Sequence, residues 1–171
     1  MYNKLPTKRY NHTLSFLKKH VPDPVKILDL GVENPFSAIM KEHGYQVANT
    51  SGEDLDLTPE VVGNFNVEVV TAFEIFEHLI APFNVLREIK ANKLVATVPL
   101  DLWFTKAYRS QTDPWDRHYH EFEPWQFDWL LEKSGWTIKA SEKWTSPVNT
   151  LGIRPLLRKF TPRYYAVYAE R

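Results

Sequence analysis

Histidines and carboxylates gather at two places in this chain of 171 residues: His118 and His120 alternate beside Glu121, and Glu74, Glu77 and His78 follow an apolar run earlier in the chain. Histidine titrates near neutrality, so His118 or His120 can take a proton from an acceptor hydroxyl or amine. His78 is a third candidate for that role, with orientation of its loop through hydrogen bonds as the alternative. Histidines beside a glutamate are also metal-ligand types. With no cysteine and no His-x-x-x-His pair on one helix face, no metal is expected. A third place is ILDLGVENP (27–35). Gly31 lets the backbone turn tightly and approach a ligand, whereas Asp29 needs partners because an unpaired buried charge is expensive. Glu33 stands near a helix N-terminus, where a carboxylate is favoured by about 0.3–1 kcal/mol. Glu53 and Asp54, in a polar turn, can accept from hydroxyl and amino donors.

The elements that must position these groups follow from periodicity and punctuation. Residues 7–20 place Tyr10, Thr13, Leu14 and Leu17 at helical spacing, ending before Pro22 and Pro24. KILDLGV (26–32) reads as a buried strand. Asn34 caps the next helix, with Pro35 at its first position and Gly44 just past its end. YQVANT (45–50), VEVVTAF (67–73) and KLVATVP (93–99) read as further strands, and Pro82 opens a helix between the last two. Residues 51–66 are polar and turn-rich, without a convincing helix. Pro124 starts a helix that stops at Gly135, and WTIKASEKW (136–144) and YYAVYAE (164–170) close the chain as strands. Strands alternating with helices imply an α/β doubly wound domain: a mostly parallel sheet, helices on both faces, one of the last two strands antiparallel. Ligands in such sheets bind beyond the carboxyl ends of the strands, at Asp29–Glu33, Thr50–Asp54, Phe73–His78 and Val98–Asp101.

Length and composition bound the function. The chain is long enough for one domain, 1–171, and 43% hydrophobic with 25% charged residues is ordinary for a globular protein. No apolar run reaches the roughly 18 residues of a membrane helix, so no membrane partner is expected. The first residues lack the apolar core of a secretory signal, and the absence of cysteine fits a reducing compartment, so a cytoplasmic location is expected. Net charge is zero but uneven: residues 1–26 carry six Lys/Arg against Asp23, and residues 154–171 carry five against Glu170, leaving the middle of the chain at −9. The two basic ends are too modest for a broad phosphate-binding face, although they could meet in space, and nucleic acid is not the expected partner.

Three stretches in order resemble the class I S-adenosylmethionine-dependent methyltransferases, and of these the small-molecule type found in quinone biosynthesis. ILDLG (27–31) is similar to the family's first strand and loop, and VVTAFEIFEHLIAP (69–82) to its fourth strand with a Glu-His-Leu continuation. HYHEFEPWQFDWLLEKSGWTI (118–138) is similar to the aromatic-proline helix start that leads into a Ser/Ala-Gly-aromatic strand entry. The resemblance covers nearly the whole chain. It implies a seven-strand sheet, or a reduced six-strand one, with the last strand antiparallel. S-adenosylmethionine would then lie across the first four strand ends, against Asp29, Gly31, Val32, Glu33, Ser51, Glu53, Asp54, Phe73 and Glu74. Two departures stand out. Glu33 and Pro35 occupy the positions of the family's next two loop glycines, and Ser51 falls where an acidic residue normally binds the ribose hydroxyls.

The resemblance therefore implies methyl transfer to the oxygen, nitrogen or carbon of a small molecule, with His118, His120 and His78 as candidates for the acceptor proton. A non-catalytic scaffold domain is the first alternative, supported by the altered loop. A nicotinamide-dependent reductase is the second, and it is disfavoured because GVENP is not Gly-x-Gly-x-x-Gly. Five of the six tryptophans lie within 103–136. Residues 100–123 are expected to form an aromatic lid over the strand ends, pinned by Trp103 and Phe122, for a planar or apolar acceptor. Residues 1–25 contribute an N-terminal helix, and a homodimer is a further expectation.

Overall fold

The computed structural model describes residues 7–113, 115–146 and 152–171. Helix α1 (Thr7–His20) precedes strand β1 (Lys26–Asp29), helix α2 (Pro35–Glu42) and strand β2 (Gln46–Asn49). Strand β3 (Val69–Phe73), helix α3 (Pro82–Glu88) and strand β4 (Lys93–Pro99) follow. Helix α4 (Pro124–Lys133), strand β5 (Thr137–Thr145), helix α5 (Ile153–Phe160) and strand β6 (Pro162–Glu170) complete the described chain. Residues 1–6 of the expected N-terminal segment and Pro114 of the long connection lie outside the described residues, as do 147–151.

The six strands form one sheet in the order β2-β1-β3-β4-β6-β5. β1 to β4 pair in parallel, and β6 alone runs against both of its neighbours, β4 and β5. This is the reduced six-strand sheet with an antiparallel last strand. The stretch between β2 and β3 holds a short 3-10 helix, Pro59–Asn64, in place of a helix and a strand. β3 and β4 are apolar almost throughout, because a parallel strand covered on both faces has no wet side. β5, at the sheet's edge, is mostly exposed.

Each face of the sheet has its own core. On one face α1 and α2 pack Phe16, Leu17, Phe36 and Met40 over Ile27, Val69 and Val95. On the other, α3 and α4 bring Leu86, Phe127 and Leu131 against Leu28, Val70, Leu94 and Val167, with Phe76 between them. The local signals agree with this placement. Asn34 accepts from the backbone amides of Phe36 and Ser37, Pro35 occupies the first helical position, and the chain leaves α2 through Gly44 at φ +93°.

Among its described residues the connection 100–123 holds only isolated bridges, Leu100 to Phe122 and Arg109 to Arg117. Leu102 and Phe122 pin it, both buried. Trp103, expected to be an anchor, is 77% exposed instead, and Trp115 is 73% exposed. Trp103 packs edge-on against Phe104, ring centroids 5.3 Å apart, rather than into the core. Truncation of Phe127, which contacts Phe76, Phe122 and Tyr165, should cost about 3–5 kcal/mol in urea unfolding of Phe127→Ala. A loss below about 1 kcal/mol would show that this core is loosely packed.

Candidate active site at the carboxyl edge of the sheet

The strand ends meet around Asp29. Its side chain is buried at the end of β1. One carboxylate oxygen accepts from Thr71 Oγ1 of β3 at 2.7 Å. The other accepts from Ser37 Oγ of α2 at 2.9 Å and from Asn49 Nδ2 of β2 at 3.2 Å. Burial pushes the Asp29 pKa up, and the bonds from Thr71, Ser37 and Asn49 oppose that shift. The carboxylate thus ties three strands and one helix together. Gly31 follows at φ +98°, its amide donating to Thr50 Oγ1 at 2.8 Å. A Cβ there would stand 3.3 Å from Ile75 Cδ1, so the loops after β1 and β3 approach as closely as glycine permits.

The other expected ligand residues scatter along this edge. Val32 is exposed and touches the loop after β2: a Cβ on Gly52 would stand 3.1 Å from Val32 Cγ1. Glu33 is exposed and paired with Lys41 on the outside of α2. Ser51 donates its amide to the Glu53 carboxylate at 2.7 Å. Asp54 shapes a turn, one oxygen accepting the Asp56 amide at 3.0 Å. Phe73 packs edge-on against Phe36, ring centroids 5.1 Å apart.

Glu74 is the sharpest feature of the backbone. Its φ is +58°, the only positive value for a non-glycine among the described residues, a conformation that costs of order 1–3 kcal/mol. The turn sends its amide to the carbonyl of Thr97, 2.9 Å away, and its side chain to Thr97 Oγ1 at 3.1 Å and Arg9 Nη1 at 3.4 Å. Burial raises the Glu74 pKa, and Arg9, Thr97 and Arg163 lower it.

Glu77, His78 and His118 converge just beyond this turn. Ligand atoms of the three lie within 4.8 Å of one another. Glu77 is fully buried, and neither carboxylate oxygen has a hydrogen-bond partner among the described residues. Burial, and then the Glu74 charge, raise its pKa well above the ordinary carboxyl value. His78 Nδ1 lies 3.0 Å from the carbonyl of Arg117, which fixes its ring. The His118 ring sits edge-on to it at 5.0 Å, with Nδ1 3.4 Å from Glu121 Oε1. Burial, and then His78, lower the His118 pKa, with Glu121 opposing. His118 is therefore held towards the neutral form, the one that accepts a proton. His120 points the other way, with Nε2 3.3 Å from the Ile80 carbonyl and the ring stacked on Phe122.

The site thus unites His78 and His118 with Glu77, and leaves His120 outside. Sequence reading missed Arg9, Ser37, Asn49, Thr50, Thr71 and Thr97 as site residues. All but Thr50 were plain polar positions with no local signature, because their partners lie 8 to 65 residues away in sequence. The absence of a metal was expected from the missing helical histidine pair; three potential ligands from two separate loops stand here instead.

No protein-family model matches the sequence, and neither does any curated protein. Solved structures do match in fold. The 1,6-didemethyltoxoflavin-N1-methyltransferase of Burkholderia thailandensis, with its substrate and S-adenosylhomocysteine bound, superposes with a TM-score of 0.66 at 15% identity, over 95% of this chain and 77% of that one. A SAM-dependent methyltransferase from Archaeoglobus fulgidus gives 0.64 at 15%, over 99% and 96%. The [4+2]-cyclase SpnF gives 0.59 at 13%, over 95% and 80%.

A raised pKa for Glu77 has a definite sign in stability. The folded chain keeps a proton that the unfolded chain releases above about 4.5, so stability falls as pH rises from there through the folded value. Urea unfolding of the wild type and Glu77→Gln, with chelator present, should show the wild type losing ground on the variant at up to about 1.4 kcal/mol per pH unit. A pH-independent difference would mean that Glu77 is ionised and paired in solution. With its parallel β1–β4 sheet, the antiparallel β6 and these neighbours, the chain has the fold of the class I S-adenosylmethionine-dependent methyltransferases.

Proposed function

We propose that this chain is an S-adenosylmethionine-dependent methyltransferase acting on a small-molecule acceptor. The fold alone does not decide this, since one neighbour in fold is a cyclase. The observation that carries the reading is the pairing of two features on one strand edge. One is a glycine-pinched loop after β1, held by Asp29; the other is a proton-accepting cluster immediately beyond β3.

The residues present suit the cofactor. The bare backbone at Gly31 and Val32 offers a close approach for its amino-acid end. Ser51, Glu53 and Asp54 offer acceptors for ribose hydroxyls and an adenine amino group, with Asn49 and Thr50 behind them. Phe73 and Glu74 border the reacting centre. When bound, the cofactor supplies an electrophilic methyl group on a sulfonium. The chain's part is to hold the acceptor in line and to take its proton, for which His118 is placed, with His78 orienting it. His120 is assigned to anchoring the loop through Ile80. The 100–123 connection is assigned to acceptor contact, with Trp103 and Trp115 available to a planar or apolar molecule.

One observation favours a second mode for the same cluster. A fully buried carboxylate with no hydrogen-bond donor among the described residues, facing two histidines, suits a divalent cation that would bind the acceptor oxygen and lower its pKa. Chelator-treated protein assayed with and without added magnesium, manganese or zinc separates the two modes: general-base transfer persists without metal.

Calorimetry on one preparation tests the reading itself. S-adenosylhomocysteine should bind most tightly, S-adenosylmethionine next, and NADH not at all. Silence towards all three would favour a scaffold domain, and binding of NADH alone a reductase. With an acceptor in hand, His118→Asn should lower kcat by about 10²–10⁴-fold while leaving S-adenosylhomocysteine affinity unchanged. Wild-type kcat in that variant would remove His118 from the reaction.

A further inference from the structure

Helix α5, IRPLLRKF, lies between β5 and β6, and none of its residues is buried. Ile153, Leu156, Leu157 and Phe160 recur at helical spacing, within an arc of roughly 100°. Ile153 is 81% exposed, Leu156 58% and Phe160 73%, with Leu157 half-buried beneath them. Arg154, Arg158 and Lys159 take the rest of the surface, and the helix carries no acidic residue. Among the described residues none of these three cations has an ion-pair partner. Isolated exposed apolar side chains are ordinary; a continuous stripe bounded by cations is not.

The position of α5 matters as much as its composition. Because β6 is antiparallel, its first residues lie at the carboxyl end of β4: Tyr164 pairs with Pro99, and the Leu100 amide donates to the Arg163 carbonyl at 2.7 Å. α5 therefore stands on the same edge as the Glu74–His118 site. The basic start of α1 joins it there. Lys8, Arg9, His12, Trp144 and Tyr164 line one cavity of about 170 Å³, and the Arg9 guanidinium sits 5.8 Å from the centre of the Tyr164 ring. Arg9 and Arg163, from the two ends of the chain, both lie near enough to Glu74 at this edge to lower its pKa. Trp103 is exposed there too.

We infer that α5 is an interfacial helix that seats the carboxyl edge of the sheet on an anionic lipid surface. Its charge decides among the possible occupants. A nucleic acid would use Arg154, Arg158 and Lys159 but leave the stripe in water. A second copy would bring the same stripe with the same three cations, like charge against like, across a two-fold interface. A membrane rich in acidic headgroups satisfies both faces: the apolar side chains enter the headgroup–acyl boundary, and the cations stay at the phosphates. The described residues contain no helix long and apolar enough to cross a membrane, and docking requires none. At eight residues, α5 is about 12 Å long, so attachment is reversible. Docked this way, the β3 and β4 ends face the lipid, which suits an acceptor dissolved in it. That consequence rests on the proposed methyl transfer; the docking does not.

The full chain is sedimented with phosphatidylcholine vesicles, with and without phosphatidylglycerol. It should bind the phosphatidylglycerol vesicles and release them as salt is raised. The combined variants Ile153→Ser/Leu156→Ser/Phe160→Ser and Arg154→Glu/Arg158→Glu should each lose at least about tenfold in binding. Both sets alter exposed side chains, so their thermal unfolding and their calorimetric response to S-adenosylhomocysteine should match the wild type. An intact response with no docking would sink this inference alone, and the reverse would sink only the methyltransferase reading. Docking is overturned if the wild type fails to sediment or if either variant binds as well as wild type. It is also overturned if lipid-free light scattering gives a dimer that the apolar variant abolishes, which would mean a second copy covers the stripe.

Discussion

One buried carboxylate holds the working edge of this sheet together. Removing an ionised group from water costs several kcal/mol, and Asp29 offsets this with hydrogen bonds from Thr71, Ser37 and Asn49. Each donor belongs to a different element, so the one side chain fixes the ends of β1, β2 and β3 and the first turn of α2 relative to each other. Asn49 reinforces the arrangement, its Nδ2 also lying 3.2 Å from the carbonyls of Asp29 and Gly31. With the strand ends fixed, the loop from Leu30 to Asn34 has little freedom, and the positive φ at Gly31 is how it leaves the strand. Ile75, in the loop after β3, lies beside this turn, since a Cβ on Gly31 would stand 3.3 Å from its Cδ1.

Past that contact the electrostatics turn unfavourable by design of the sequence. Glu74 and Glu77 are buried close enough for the charge of one to raise the pKa of the other, and Arg9 and Arg163 offset only part of it. A folded chain keeps such a pair only where surrounding structure over-determines it, here the β3–β4 register and the Arg9 contact from α1. The strain in Glu74 and the buried carboxylate of Glu77, without a hydrogen bond among the described residues and 3.8 Å from His78 Nε2, fall within one short turn, beside two histidines. The edge is polarised beyond this turn as well. Glu33, Glu53 and Asp54 lie on the β1–β2 side, while Lys8, Arg9, Arg154, Arg158 and Arg163 lie on the β6 side.

Much of this was legible in the sequence, because local signals and tertiary structure agree. The Asn34 cap with Pro35, the apolar runs of β3 and β4 and the proline starts of α3 and α4 gave the layers, and the strand ends gave the edge where the site lies. Long-range partners were not legible: nothing near Asn49 or Arg9 announces Asp29 or Glu74. Residues two apart in extended chain share a face, but the chain bends at Tyr119, whose amide and that of His120 both donate to the Glu77 carbonyl, and only His118 joins Glu77. The I-x-x-L-L-x-x-F spacing of α5 lies among the basic residues of 154–171, and none of its residues is buried. Trp103 was expected to pin one end of the 100–123 connection, whereas it is exposed and its neighbour Leu102 is buried in that place.

If Asp29 is the constraint on which the loop after β1 depends, weakening it should cost ligand affinity before it costs the fold. The most direct measurement is calorimetric S-adenosylhomocysteine binding to Asp29→Asn, whose amide keeps the size of the side chain but places an N–H against donors it can no longer accept. The account predicts a folded variant, by circular dichroism and a cooperative melt, that binds at least about tenfold more weakly than wild type. Wild-type affinity in a well-folded Asp29→Asn would contradict it, because the loop would then hold its shape without the carboxylate.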